Sequence, residues 1–115
     1  MAFTGNWACN SFKTGLMNGT FNFTSSTFYM ALYTNSATLD ATTTAYTATG
    51  EVVATGYTAG GLALTISQVP TTGNSGTVAY LSFNNAVWSG SILARGALIY
   101  QSGGGNPSVC VLDFG

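Results

Sequence analysis

The chain has 115 residues, of which 46% are hydrophobic and 13% aromatic, enough to build one core in a single domain spanning residues 1–115. Only 4% of the residues are charged, histidine is absent, and the formal net charge is −1. Nucleic acids and anionic membranes are bound through clusters of Lys and Arg, and the two cations here cannot form such a patch. These numbers exclude an ordinary nucleic-acid or membrane-surface binder.

One short helix is predicted near residues 11–18, following a possible cap at Ser11 or Asn10 and ending at Gly19. Its apolar residues have helical spacing and are expected to face the core; they are Phe12, Leu16 and Met17.

Strands are predicted from about residue 28 onward. Residues 28–34 are apolar on both alternating faces, which is typical of a central strand. The other predicted strands are 62–69, 77–83, 92–100 and 109–114, with a short one at 51–57, while 35–50 is a long connection. The spacing predicts an all-β fold, a β-sandwich or jelly-roll-like barrel of about six to eight short strands.

The residues needed for catalysis are scarce. Without histidine there is no Ser-His or Cys-His pair, and nothing in the spacing of the three carboxylates brings two of them together. Cys9 and Cys110 cannot hold zinc by themselves, so we expect two buried free thiols. The sequence therefore predicts no enzyme, no cofactor and no metal.

Arg95 is a charged residue inside the apolar predicted strand 92–100. An unpaired charge there would be costly, so we expect its guanidinium to be at least half buried against a carboxylate. Glu51 is favoured over Asp113 as that partner, and the carboxylate of a neighbouring subunit is the alternative. Gly96 follows directly and allows another chain segment to approach closely.

The aromatic residues suit packing in the core or between subunits, because Tyr and Trp bury a large area while their polar tips find hydrogen bonds. The candidate interface residues are Tyr29, Tyr33, Tyr57, Trp88 and Tyr100. A weaker alternative is a sugar-binding platform. Since a surface of 18 Thr and 11 Ser lacks like-charge repulsion, we expect the chain to self-associate.

Several segments together resemble a known family. They are the run at 28–39 (FYMALYTNSATL), Gly50-Glu51-Val52, 56–61 (GYTAGG), Trp88, 94–100 (ARGALIY) and 111–115 (VLDFG). In this order they resemble small virion structural proteins of tailed bacteriophages, common in marine and cyanobacterial phages. The likeness spans nearly the whole chain and its motifs are structural rather than catalytic.

The resemblance implies a non-enzymatic virion component present in many copies and assembled in the cytoplasm of a bacterial host. The expected role is a capsid decoration (cement) protein that contacts the major capsid protein and other copies of itself, with a trimer favoured. The alternatives are a tail or fibre subunit and, less favoured, a glycan-binding adsorption module.

Overall fold

The computed structural model describes residues 3–115, so Met1 and Ala2 of the predicted domain lie outside the described residues. The described chain is mostly β with one short helix, as predicted. Its elements are β1 (Trp7–Ala8), α1 (Asn10–Asn18), β2 (Phe28–Tyr33), β3 (Leu62–Leu64), β4 (Ile66–Gly73), β5 (Val78–Phe83), β6 (Gly96–Gln101) and β7 (Ser108–Asp113).

Five strands form one antiparallel sheet in the order β1-β7-β6-β2-β3. β2 lies inside the sheet and pairs with β6 along its whole length, from Phe28 opposite Gln101 to Tyr33 opposite Gly96. β2 is apolar on both faces because other segments pack on both faces of the sheet, one cluster around Ala31 and Tyr33 and the other around Leu32.

The first face of the sheet is fully covered. Ala31 and Tyr33 of β2 pack with Leu98 of β6 and Val111 of β7 in one buried cluster. The connection 35–50 closes over them, and its Leu39 forms a bridge to Phe3. The long connection predicted from the sequence is thus the second layer of the main core.

The second face is covered only in part. Leu32 and Ala97 are buried with Val52, but Met30, Trp88 and Ile92 around them are only partly buried. Irregular segments, rather than strands, form this cover.

β4 and β5 form a separate two-stranded sheet, joined at its tip by the short 3-10 turn Asn74–Gly76. We call residues 66–83 the arm. At its base the Phe83 ring lies 6.2 Å from that of Phe28, and the Asn84 amide donates to the Thr65 carbonyl at 2.8 Å. Beyond this base residues 75–80 are exposed.

The helix is present, and of its three predicted apolar residues only Phe12 packs against other side chains, the rings of Phe21 and Phe23. Its N-cap is Cys9 rather than Ser11 or Asn10, and Gly19 ends it in the left-handed conformation as expected. Leu16 and Met17 are exposed. The buried residue is Gly15, because the ring of Phe21 packs directly on its Cα and leaves no room for a larger side chain.

Three predicted strands differ from the structure. Residues 51–57 form no strand because the chain turns at Ala54–Tyr57, leaving only a bridge between Glu51 and Tyr33. The predicted strand 62–69 is two strands separated at Thr65, and β4 continues past Pro70, next to irregular pairing that a proline tolerates. The strand predicted at 92–100 begins only at Gly96.

Candidate functional site

Arg95 binds Asp113. Its Nε donates to Oδ1 at 3.0 Å and its Nη2 to Oδ2 at 3.4 Å, and a third bond runs from Nη1 to Asn35 at 3.2 Å. The side chains of Arg95 and Asp113 are 23% and 15% exposed, so the guanidinium is more than half buried, as expected. The guanidinium also lies 5.7 Å from the centre of the Phe3 ring.

The preference for Glu51 as the partner of Arg95 is wrong. β6 and β7 pair with Gly96 opposite Asp113, and this register places the carboxylate beside Arg95. The hydrogen bond from Arg95 lowers the pKa of Asp113 below its ordinary value. The pair therefore fastens the end of β7 to the start of β6 within one chain.

Glu51 instead binds two tyrosine hydroxyls. Tyr46 donates to its Oε1 at 2.6 Å, Tyr57 to its Oε2 at 2.5 Å, and the Gly60 amide donates to Oε2 at 2.8 Å. The Tyr57 oxygen also accepts from the Leu32 amide of β2 at 3.0 Å. A buried carboxylate thus ties three loop positions to the sheet, since each of its oxygens accepts at least one donor.

The same cluster holds its phenols in the protonated form. Burial, and then the hydrogen bond to Glu51, raises the pKa of Tyr57 well above its ordinary value and that of Tyr46 to about 12. Phenols that stay protonated to such a pH are permanent hydrogen-bond donors. We interpret the cluster as a structural clamp on the segment 46–60.

Two of the five aromatic residues expected at an interface are buried within the chain, and the other three are partly buried. Tyr33 and Tyr100 are buried, and the Tyr100 hydroxyl donates to the Gly60 carbonyl at 2.6 Å. The ring of Tyr29 stacks on Tyr100, and Tyr57 is held by Glu51. Tyr33 and Tyr100 are core residues because connections 35–50 and 51–61 fold over the sheet, which the alternating pattern alone does not reveal. Trp88 lines an open depression, and Tyr57 lines a second, smaller one of about 490 Å³ together with Val52 and Val53.

The depression lined by Trp88, which we call the groove, lies on the incompletely covered face of the five-stranded sheet. It has a volume of about 730 Å³. Its apolar lining includes Met30, Leu32, Val87, Trp88, Ile92 and Phe114. Val87 and Phe114 are 75% and 55% exposed, so the apolar surface continues out to the rim. No residue of the arm lines it.

The arm presents a second exposed apolar surface. Val69, Val78 and Tyr80 are about half exposed. The Tyr80 ring lies against Gly73 on the opposite strand, where a β-carbon would approach it to 2.9 Å. Residues 66–83 include no Asp, Glu, Lys or Arg. Sequence reasoning placed strands here but missed that they separate from the main sheet.

Within residues 3–115, Cys9 and Cys110 are free thiols; Cys9 is buried as expected, whereas Cys110 is only partly buried. Burial raises the pKa of Cys9, and raises that of Cys110 to about 11, so both stay protonated near neutral pH. The described residues hold no group of three or more His, Cys, Asp or Glu arranged for a metal ion. Over the same part of the chain, no helix is both long and apolar enough to span a membrane.

Comparison with known proteins finds no matching family model, no matching curated protein and no matching solved structure.

Proposed function

We propose that this protein is a non-enzymatic structural subunit of a tailed-phage virion, and specifically a capsid decoration protein. The observation that carries the proposal is the pairing of two uncharged, exposed apolar surfaces, the groove and the arm, on one small β-rich domain. Exposed apolar patches rimmed by polar residues are typical of protein interaction sites. The resemblance of the sequence to small phage virion proteins is the reason for proposing a virion as the site of these interactions.

The proposed partners are further copies of this chain, as a trimer, and the major capsid protein. Interface cores are depleted in charged residues, and a subunit whose surface is largely covered in the particle needs few charges for solubility. The expected β-sandwich or jelly-roll-like packing belongs to the same proposal: the open face of the five-stranded sheet receives a second β layer in the assembled state.

The experiment is quantitative mass spectrometry of purified phage particles whose genome encodes this chain. We expect hundreds of copies per particle, in constant ratio to the major capsid protein. A count of tens or fewer would assign the chain to the tail, and absence from the particles would overturn the virion proposal.

A second measurement tests the decoration role itself. Particles lacking this chain should release their DNA at a lower temperature than complete particles, and adding the purified protein back should restore the original release temperature. Unchanged release temperatures would contradict a stabilising role on the shell.

A further inference from the structure

The two-stranded arm is an element that its own chain does not support. A two-stranded ribbon is marginally stable at best in water, and stability requires a third strand or packing on another surface. Here the base of the arm is anchored through Phe83 and Thr65, whereas residues 75–80 are exposed. Something outside the chain is needed to order its outer half.

The amount of exposed surface also indicates that part of this chain is left uncovered by its own fold. The chain exposes 6430 Å² at a mass of 11.8 kDa, against about 5,900 Å² for monomeric proteins of this mass. The radius of gyration of 14.2 Å also exceeds the roughly 13.3 Å of a compact domain of this length. The excess surface is what a projecting ribbon and an open groove add to a compact body.

We propose that the arm of one copy packs into the groove of a second copy of this chain. The two surfaces match in chemistry: the arm offers Val78 and Tyr80, and the groove offers Met30, Trp88 and Val87. Neither residues 66–83 nor residues 84–94 include an Asp, Glu, Lys or Arg, so no charge loses its hydration on contact. A charged partner would find nothing on either surface to pair with.

This contact joins two different patches, so each copy has one arm to give and one groove to fill. Such a head-to-tail contact closes as a ring when the rotation between copies allows it, and a ring of three is the trimer proposed above. The arm then supplies the β layer that the second face of the sheet lacks. The inference rests on the proposed self-association and identifies the arm and the groove as the two surfaces that meet.

The test uses one variant on each surface. Tyr80→Glu places a charge on the arm, and Val87→Lys places one on the groove rim; both side chains are largely exposed, so the fold should tolerate either change. In analytical ultracentrifugation at tens of micromolar, we expect the unmodified protein to sediment as an oligomer. Each variant should associate at least about 30-fold more weakly, as expected for loss of an interface anchor.

Mixing the two variants is the decisive step. The intact arm of Val87→Lys can still enter the intact groove of Tyr80→Glu, and the introduced glutamate and lysine attract each other at the altered contact. The mixture should therefore associate although neither variant does so alone. Met17→Lys, which adds a charge at an exposed helix position, is the matched control and should associate like the unmodified protein. Circular dichroism checks that every variant is folded.

Hydrogen exchange gives an independent measurement. Amides of residues 75–80 should exchange slowly in the oligomer and rapidly in monomeric Val87→Lys, whose arm is unaltered.

Three results would overturn the inference: an unmodified protein that stays at 11.8 kDa, variants that associate normally, or a control that is weakened equally. If the arm-to-groove contact is rejected in this way, the proposed virion function is still tested separately by the number of copies per virion. Conversely, arm-to-groove association in a chain absent from virions would reject the virion role alone.

Discussion

At the scale of single residues, three of the five charged groups of this chain have specific structural tasks. Arg95 and Asp113 join two neighbouring strands, and the Glu51 carboxylate accepts hydrogen bonds from two phenols and a backbone amide. Burying an ionised carboxylate costs free energy unless hydrogen-bond donors compensate for the lost water, and Glu51 has several such donors. The scarcity of charge is therefore a property of the surface, while the interior keeps the charges that organise it.

The Tyr57 hydroxyl gives a direct test of the Glu51 cluster. Tyr57→Phe removes the donor to Glu51 and the acceptor for the Leu32 amide, and both partners stay buried. We expect the free energy of unfolding, measured in urea, to fall by about 2 kcal/mol. Tyr80→Phe removes the same hydroxyl from an exposed ring and should change it by less than about 0.5 kcal/mol. Equal effects of the two variants would show that the cluster contributes nothing specific.

The ion pair of Arg95 predicts a pH dependence. Because the folded state lowers the pKa of Asp113 from 3.8, the stabilisation is present above that ordinary value and is lost as the pH falls through the lowered one. Arg95→Met should therefore lower the melting temperature by several degrees near pH 7, and the difference from the unmodified protein should shrink towards about pH 3.

The control for that experiment is Lys13→Met, which removes the other cation of the chain from an exposed helix position. It should leave the melting temperature unchanged at both pH values. A gap between Arg95→Met and the unmodified protein that is constant with pH would mean that Arg95 stabilises through packing on Phe3 instead.

At the scale of elements, close approaches between segments require glycine at particular positions. β6 begins at Gly96, where a β-carbon would lie 2.5 Å from both the Phe3 ring and the Leu112 carbonyl. The preceding residues 92–94 leave the sheet to line the groove. Helix α1 likewise packs on Phe21 through the bare backbone of Gly15, and its Phe12 ring contacts the rings of Phe21 and Phe23.

Gly96→Ala tests this packing. Its backbone has an ordinary φ, so the cost of the added methyl comes from crowding against Phe3 and Leu112 alone, and we expect the free energy of unfolding to drop by about 2 kcal/mol or more. Gly104→Ala is the contrasting variant: its site is open but has φ +64°, so only the left-handed conformation is penalised, by about 1 kcal/mol. A smaller loss at Gly96 than at Gly104 would contradict the close approach.

At the scale of the whole molecule, the absence of charge predicts how assembly responds to salt. With five charged residues per chain and a net charge of −1, contacts between copies involve apolar and hydroxyl surface rather than ion pairs. We expect the self-association constant, measured by sedimentation, to change less than about tenfold between about 50 and 500 mM NaCl. Dissociation of the oligomer at the higher concentration would show that electrostatic contacts dominate.

The sequence alone determined the β-rich fold, the short helix with its end at Gly19, the apolar interior strand 28–33 and the pairing of Arg95 with some carboxylate. These follow from local periodicity, from the left-handed conformation that glycine adopts easily, and from the cost of an unpaired buried charge. Only the tertiary structure decided that the carboxylate is Asp113, that Tyr33 and Tyr100 are core rather than interface, and that residues 66–83 leave the sheet as an arm. The physical reason is that strand register and the path of long connections are set by contacts between residues far apart in the chain. Alternation along one strand shows that two faces are apolar, but it carries no information about which segment covers each of them.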